Sequence, residues 1–141
     1  MVPRKLNILD KQKLTYHLQK LQGEDRRLRF GMMATDAYIE QYVNRTINDV
    51  DSKWFGVDHI NGSIVAACHV AITDDLAELG CSVDSDYRGH GFAQTMFDRA
   101  VTWLKTKGIQ DVCMHCLAEN AIMKHIARKN EMAVVTEYGE T

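Results

Sequence analysis

Apolar residues recur along the first third of the chain at the spacing of an amphipathic helix. Between Asp10 and Leu21, the repeating positions are Leu14, Leu18 and Leu21. A second segment begins at Thr35 or Asp36, either of which can cap a helix. Its apolar positions are Ile39, Tyr42, Val43 and Ile47. Because residues three and four apart share one face of a helix, both segments are predicted to be helices that bury that face.

The middle of the chain changes to runs rich in β-branched and aromatic residues. Two of these runs, Trp54 to Ile60 and Ser63 to Ile72, are joined by Asn61-Gly62, the strongest short signal for a β-hairpin. Asp74-Asp75 then turns the chain into a third run, Leu76 to Val83. The three runs predict neighbouring antiparallel strands.

A glycine-rich turn, Tyr87 to Ala93, follows the third run and leads directly into another predicted helix, which ends at Gly108. The apolar stripe of that helix is Phe92, Met96, Phe97, Ala100, Val101 and Leu104. The remaining pattern predicts a strand over Asp111 to Leu117, a helix over Asn120 to Asn130 and a last strand over Met132 to Tyr138. A crossover helix between strands normally makes them parallel, so we expect an α/β (α+β) fold with a mixed sheet.

The glycine-rich turn has the composition of a phosphate-binding loop. Gly89 and Gly91 allow the backbone to approach an anion, free N–H groups at the helix start point toward it, and Arg88 adds positive charge. Glycine pairs before a helix also occur in ordinary tight turns. The position between a strand and a helix favours the ligand site, which we expect where the turn leaves the strand.

Composition and charge narrow the possible partners. The chain has 141 residues, 45% hydrophobic and 26% charged, which fits a single globular domain over residues 1–141. Its net charge is −2, and the longest basic run lies within Asp25 to Arg29, so we expect neither nucleic-acid nor membrane binding. Apolar runs are shorter than the ~20 residues of a membrane span, and the N-terminus lacks a signal-peptide pattern. The expected location is the cytoplasm.

The four cysteines lie in apolar, strand-like segments, which favours reduced core thiols over disulfides: Cys68, Cys81, Cys113 and Cys116. Cys113 and Cys116 have the spacing of a zinc motif. In a strand, however, residues three apart project to opposite faces, so we expect no metal site there.

These features together resemble the GNAT N-acetyltransferase superfamily, and in particular the catalytic domain of bacterial protein-lysine acetyltransferases. The pyrophosphate signature of that family, Gln/Arg-x-x-Gly-x-Gly/Ala, is matched in register by Arg88, Gly91 and Ala93. Ala77 to Asp84 resembles the family's fourth strand, and Asn120 to Lys129 resembles its later helix. Asp25 to Gly31 resembles a segment before the second helix of some bacterial members.

The resemblance implies acetyl coenzyme A as cosubstrate and no metal. It implies that the diphosphate is bound by Arg88, Gly89, His90, Gly91, Phe92, Ala93 and Gln94. Main-chain groups near Cys81 and Val83 would bind the pantetheine arm like an added strand, with Asn120 on its other side. A helix N-cap is the alternative role for Asn120.

The implied reaction is acetyl transfer to a primary amine, on a small molecule or a protein, by direct attack. Glu78 is the candidate base, because related lysine acetyltransferases carry a glutamate in this strand, and the alternative is a solvated carboxylate. His69 and His115 are further titratable groups that we expect to be packed strand histidines.

The chain departs from the family pattern in three ways. In many family members a tyrosine of the later helix acts as the general acid that protonates the departing thiolate. Ala127 occupies that position here, so Tyr138 or water is the candidate general acid. Glu131 stands where glycine is usual, and no seventh strand is evident. An open last strand would favour a homodimer, whereas a frayed tail on a monomer is the alternative.

Two other functions compete with acetyl transfer. The protein could be a non-catalytic acyl-CoA-binding module or a cysteine–histidine metal protein.

Overall fold

The computed structural model describes residues 2–114, 125, 128–129 and 133–135. Its helices are α1 (Lys11–Gln19), α2 (Gly23–Phe30), α3 (Asp36–Thr46) and α4 (Phe92–Thr106). Its strands are β1 (Arg4–Lys5), β2 (Ser52–Asp58), β3 (Ile64–Thr73), β4 (Leu76–Val83), β5 (Asp111–Met114) and β6 (Ala133–Val135). Short 3-10 turns, Ile8–Asp10 and Ser85–Tyr87, precede α1 and the glycine-rich turn.

The strands form one sheet in the order β1-β2-β3-β4-β5-β6. The pairs from β1 to β4 are antiparallel, whereas β4 with β5 and β5 with β6 are parallel. The sheet is therefore mixed and mostly antiparallel, as the sequence predicts. The first hairpin is also confirmed, since Gly62 N donates to His59 O and His59 N donates to Ser63 O at 2.8 Å each.

Helices cover both faces of this sheet and produce two separate cores. On one face α4 packs Met96, Phe97, Ala100 and Leu104 against Phe55, Val70 and Leu79. On the other face α1 and α3 pack Leu14, Leu18, Ile39 and Val43 against Trp54 and Ile64. Successive residues of a strand point to opposite faces, so β4 divides its side chains between the two layers.

Two elements, α2 and β1, are not predicted by the pattern of apolar residues. α2 has five charged residues among its eight, and its buried residue is Arg29, so it has no apolar stripe that would predict a helix. β1 is only two residues long; it pairs Arg4 with Gly56 and is fixed by the Arg4 side chain, which donates to Asp10 Oδ1 at 2.7 Å. Side-chain contacts outside the helical and strand periods stabilise both elements.

The rest of the prediction agrees with the described residues. α1, α3, α4 and β2 to β4 lie where expected, and Gly108 follows α4 with φ +73°. β5 and β6 are seen within the predicted strands, whereas the predicted helix over Asn120 to Asn130 falls largely outside the description. No helix in the described ranges is both long and apolar enough to span a membrane.

Candidate active site

The glycine-rich turn brings the main chain of Arg88 to Gln94 to the end of β4. Gly89 and Gly91 both have φ +80°, a conformation that side chains with a Cβ rarely adopt. Apart from the adjacent residues, a Cβ built on either glycine would meet no atom of the described residues within 4 Å. The turn therefore presents bare backbone to open space.

The first turn of α4 leaves backbone donors available beside that space. Gly91 occupies the N-cap without any side-chain cap, and the first intrahelical donor is Thr95 N, which bonds Gly91 O at 3.0 Å. The N–H groups of Phe92, Ala93 and Gln94 precede this bond. A helix start with free N–H groups carries partial positive charge and suits an anion.

The Arg88 side chain contacts two protein groups near the turn. Its guanidinium donates from Nε to Val83 O at 3.1 Å and forms an ion pair with Asp25 Oδ2 at 3.1 Å. The charge is thus directed toward α2 and is partly balanced by a carboxylate. Arg88 thus joins the start of the turn to the end of β4.

Cys81 and Val83 direct their main-chain groups away from β3. Asp84 N bonds Val65 O at 2.8 Å across the β3–β4 ladder. Because hydrogen-bonding direction alternates along a strand, the groups of Val83 and Cys81 point to the opposite edge. Pairing of β5 is described only for Leu76–Leu79, so within the described residues this part of the edge has no strand partner.

Glu78 lies on the sheet face that α1 and α2 cover. Its ladder partner in β3 is Ala71 and its neighbour in β5 is Cys113. Gly80 and Ser82 follow on the same face, where they meet Arg29 and His17. The half-buried Glu78 side chain therefore shares a face with several polar groups, as its alternation with Gly80 and Ser82 predicts.

His17 links Ser82 to Asp84 beneath α1. Its Nε2 is 2.8 Å from Ser82 Oγ and its Nδ1 is 2.8 Å from Asp84 Oδ1, while Lys20 Nζ also bonds Asp84 at 2.8 Å. The arrangement of Ser82, His17 and Asp84 resembles a catalytic triad. His17 is fully buried, however, and Ser82 is only 7% exposed, so a substrate has little access to either. Burial opposes ionisation of Asp84, yet the bonds from His17 and Lys20 outweigh it and lower the pKa of this carboxyl. We interpret the group as the anchor of α1 on β4.

A second polar group lies beside Glu78, centred on His69. Its Nδ1 is 2.8 Å from Tyr42 Oη, and its ring lies 4.6 Å from that of Trp54. Burial, followed by the charges of Arg29 and Arg45, lowers the pKa of His69 to about 3. His69 is therefore a packed strand histidine, as predicted, and is too weakly basic to accept a proton from an amine near neutral pH.

Sequence reasoning missed His17, Arg29 and Tyr42. His17 interrupts the apolar face of α1, and a buried histidine at that spacing is a signal for a polar partner on the sheet. Arg29 belongs to the segment Asp25 to Gly31, which resembles a segment of some bacterial GNAT members, but the resemblance implies no role for Arg29. Tyr42 was assigned to the core of α3, where its ring does pack, but its hydroxyl was overlooked.

Several predicted residues lie outside the described part of the chain: His115, Cys116, Asn120, Ala127, Glu131 and Tyr138. Cys68 and Cys81 are free thiols, as predicted. Among the described residues, no group of three or more acidic, histidine or cysteine side chains is placed to hold a metal ion.

A profile described as the acetyltransferase (GNAT) family matches residues 16–130, which include the glycine-rich turn and all of β4. The chain belongs to the GNAT family. No curated protein sequence matches it. Its GNAT fold is shared by solved structures of low identity.

Three solved structures illustrate this likeness. The GNAT domain of S. lividans PAT has a TM-score of 0.73 at 19% identity, covering 91% of this chain and 78% of that one. A Vibrio cholerae spermidine N-acetyltransferase, solved with CoA and spermine, has a TM-score of 0.65 at 17% identity, covering 92% and 78%. A GNAT-family acetyltransferase from Streptococcus pneumoniae has a TM-score of 0.65 at 14% identity, covering 91% and 81%.

Proposed function

We propose that this GNAT protein transfers an acetyl group from acetyl coenzyme A to a primary amine by direct attack. The observation that carries the proposal is the bare turn at Gly89 and Gly91, with uncapped N–H groups of α4 beside open space. Free backbone donors at a helix start are suited to a diphosphate. Family membership supports the same ligand, and the Vibrio cholerae enzyme was solved with CoA.

The chain's own groups would bind the cosubstrate in two places. Main-chain N–H groups from Gly89 to Gln94 would bind the diphosphate, while Arg88 keeps the turn in place through Val83 O and Asp25. The outward main-chain groups of Cys81 and Val83 would bond the pantetheine amides in the manner of an added strand. Acetyl coenzyme A supplies the activated acetyl group as a thioester.

Glu78 is the proposed proton acceptor. An alkylamine with a pKa near 10.4 is almost fully protonated at neutral pH, and generating the free amine costs about 4–5 kcal/mol. Glu78 accepts that proton directly or through water, and the neutral nitrogen attacks the thioester carbonyl. The nitrogen–carbon bond forms as the carbon–sulfur bond breaks, the nitrogen releases its second proton to water, and Tyr138 or water protonates the departing thiolate.

Two variants of α4 provide the sharpest test. Gly91 and Gly108 lie at opposite ends of the helix, and both have positive φ, at +80° and +73°. Neither Cβ position lies within 4 Å of a non-adjacent residue in the described part of the chain. Gly91→Val and Gly108→Val should therefore incur similar backbone strain, on the order of 1–2 kcal/mol. We expect only Gly91→Val to lose acetyl coenzyme A binding, by tenfold or more, when titrated calorimetrically.

The outcomes separate the competing functions. Equal affinity of the two folded variants would reject the proposed diphosphate site, and absence of binding by the parent at millimolar cosubstrate would reject the proposed function. Tight binding without turnover over a panel of amines would instead favour a non-catalytic acyl-CoA-binding module. The panel should include polyamines, because one structural neighbour is a spermidine N-acetyltransferase, and protein lysines, which the sequence resemblance implies.

A further inference from the structure

Arg29 is a buried cation on the face of β4 that carries Glu78. It lies in the last turn of α2 and is 9% exposed. Its guanidinium lies against Gly80 so closely that a Cβ on that glycine would be 2.7 Å from Cζ and from Nη1. Only glycine at position 80 leaves room for this contact, so strand and arginine are fitted to each other.

The charge of Arg29 lacks the usual counterion. Four arginines that are more exposed than Arg29 each form an ion pair with a carboxylate: Arg4, Arg26, Arg27 and Arg88. In the described residues, no carboxylate pairs with Arg29; its guanidinium donates from Nη2 to Tyr42 Oη at 3.1 Å. The rings of Phe30, Tyr42 and Trp54 surround it, with centroids 4.8–5.8 Å from Cζ. Cation–π contacts offset part of the cost of burying an ion, which is several kcal/mol.

Two hydrogen-bond donors remain unpaired in this cluster. Arg29 Nη2 donates to Tyr42 Oη, which lies 2.8 Å from His69 Nδ1. We assign the tautomer in which the Tyr42 hydroxyl donates to Nδ1, so that the hydrogen of neutral His69 is on Nε2. Both Nε2 of His69 and Nε of Arg29 are buried without a partner among the described residues. Two buried donors beside a positive charge require an acceptor that carries negative charge.

The position of this cluster connects it to the reaction. Gly80, against which Arg29 lies, is two residues from Glu78 on the same strand face, a distance of about 7 Å along β4. An acceptor whose anionic group reaches Arg29 would thus have its amine within a few bonds of Glu78. Phe30 and the stacked rings of Tyr38 and Tyr42 lead from the cluster toward the surface, where Tyr38 is 37% exposed.

We propose that Arg29 and His69 bind a carboxylate of the amine acceptor, so that the substrate class is an amino acid or related amino-carboxylate with an apolar portion. The proposal rests on the proposed acetyl transfer and narrows its acceptor. It disfavours polyamines, whose positive charges would be repelled by an unneutralised guanidinium.

Matched amines with and without a carboxylate provide the test. L-Phenylalanine is compared with phenethylamine, and 4-aminobutanoate with butylamine, at fixed acetyl coenzyme A. We expect kcat/KM to be at least tenfold higher for the carboxylated member of one pair or both. The pair with the larger preference reports the spacing between the amine and the carboxylate. Equal or lower kcat/KM for both amino acids would overturn the proposal.

Variants then assign the preference to the cluster. Arg29→Gln should abolish it by weakening only the carboxylated substrates, whereas Arg99→Gln, which removes the same charge from the α4 face, should preserve it. Arg29→Lys keeps the charge without the planar donor fork and should retain part of the preference. A preference unchanged in folded Arg29→Gln, verified by circular dichroism, would overturn the assignment; if that variant does not fold, Arg29→Lys and the wild-type pairs decide.

Direct binding separates this inference from the proposed function. Calorimetry with the same four amines in the presence of CoA reports carboxylate recognition without any turnover. Carboxylate-dependent binding by a protein that transfers no acetyl group would support the Arg29 site and reject the reaction. Turnover of amines with no carboxylate preference, in rate or in binding, would support the reaction and reject the site.

Discussion

Two sets of buried polar residues lie on the face of β3 and β4 that α1, α2 and α3 cover. His17 and Ser82 form one, and Arg29, Tyr42 and His69 form the other. Burying polar groups is costly unless they find partners, so each set ties the stability of the protein to a small number of atoms. The effects of single substitutions there should be measurable by titration and unfolding.

The pH dependence of stability should report the burial of His69. Its pKa is about 3 in the folded protein and 6.5 when unperturbed, so between these values only the unfolded state binds the proton. Stability is therefore fully present above pH 6.5 and falls as the pH drops toward 3, by about 1.4 kcal/mol per unit. Urea unfolding from pH 6 to 4.5 should show this slope.

His69→Gln removes the titrating group and should flatten that slope, even though it lowers stability overall. His90→Gln changes an exposed histidine of the glycine-rich turn and should leave the slope as it is in the parent. A slope that is the same in His69→Gln and the parent would contradict the assignment of a neutral, buried His69.

The proposed role of Glu78 predicts a pH-dependent defect. Glu78→Gln keeps the shape of the side chain but cannot accept the amine proton, so turnover at neutral pH should fall by about 10²–10⁴-fold. Acetyl coenzyme A affinity should stay within a few fold. The defect should shrink as pH approaches the pKa of the amine, and a pH–rate profile identical to the parent's would identify water or another group as the acceptor.

At the level of elements, α1 is held on β4 by the bonds of His17. Ser82→Ala removes one partner and leaves His17 Nε2 buried and unsatisfied, which should lower the free energy of unfolding by about 1–3 kcal/mol. Ser52→Ala is the control, because Ser52 is buried to a similar degree but its hydroxyl makes no hydrogen bond among the described residues. Equal losses in the two variants, measured by urea unfolding, would refute the anchoring role.

The elements with an apolar period could be predicted, and those without one could not. Leu14 and Leu18 mark α1, and Asn61-Gly62 marks the first hairpin, because the chain itself carries those signals. α2 depends on contacts made after folding: Arg26 donates to Leu21 O and Ala34 O at 2.8 Å each. A charged helix that is stabilised by side-chain hydrogen bonds to loops has no periodic apolar pattern from which it could be predicted.

The candidate site divides in the same way. Gly89 and Gly91 predict a turn because positive φ favours glycine, and alternation along the strand predicts that Glu78 shares a face of β4 with Gly80. The contact of the Arg88 side chain with Asp25 could not be predicted, because the two residues are 63 positions apart in the sequence. The unpaired donors of the Arg29 cluster require three elements to meet, which no local pattern reveals.

For the whole molecule, the state of association stays a prediction. β6 lies at one edge of the described sheet and contains β-prone Ala133-Val134-Val135. If its outer edge is open, we expect a homodimer that dissociates on dilution in sedimentation velocity experiments. A monomer at high micromolar concentration, unchanged by deleting residues 134–141, would reject this dimer.

The order of the strands in space follows their order along the chain, and this affects synthesis on the ribosome. Each new strand can pair with one already released, which keeps most pairings local. The layer containing α1 to α3 can close early, but Phe55, Val70 and Leu79 have no cover until Met96 and Phe97 emerge. The nascent chain thus passes through a stage with one finished face and one bare apolar face, and this stage is where chaperone binding or aggregation would compete with folding.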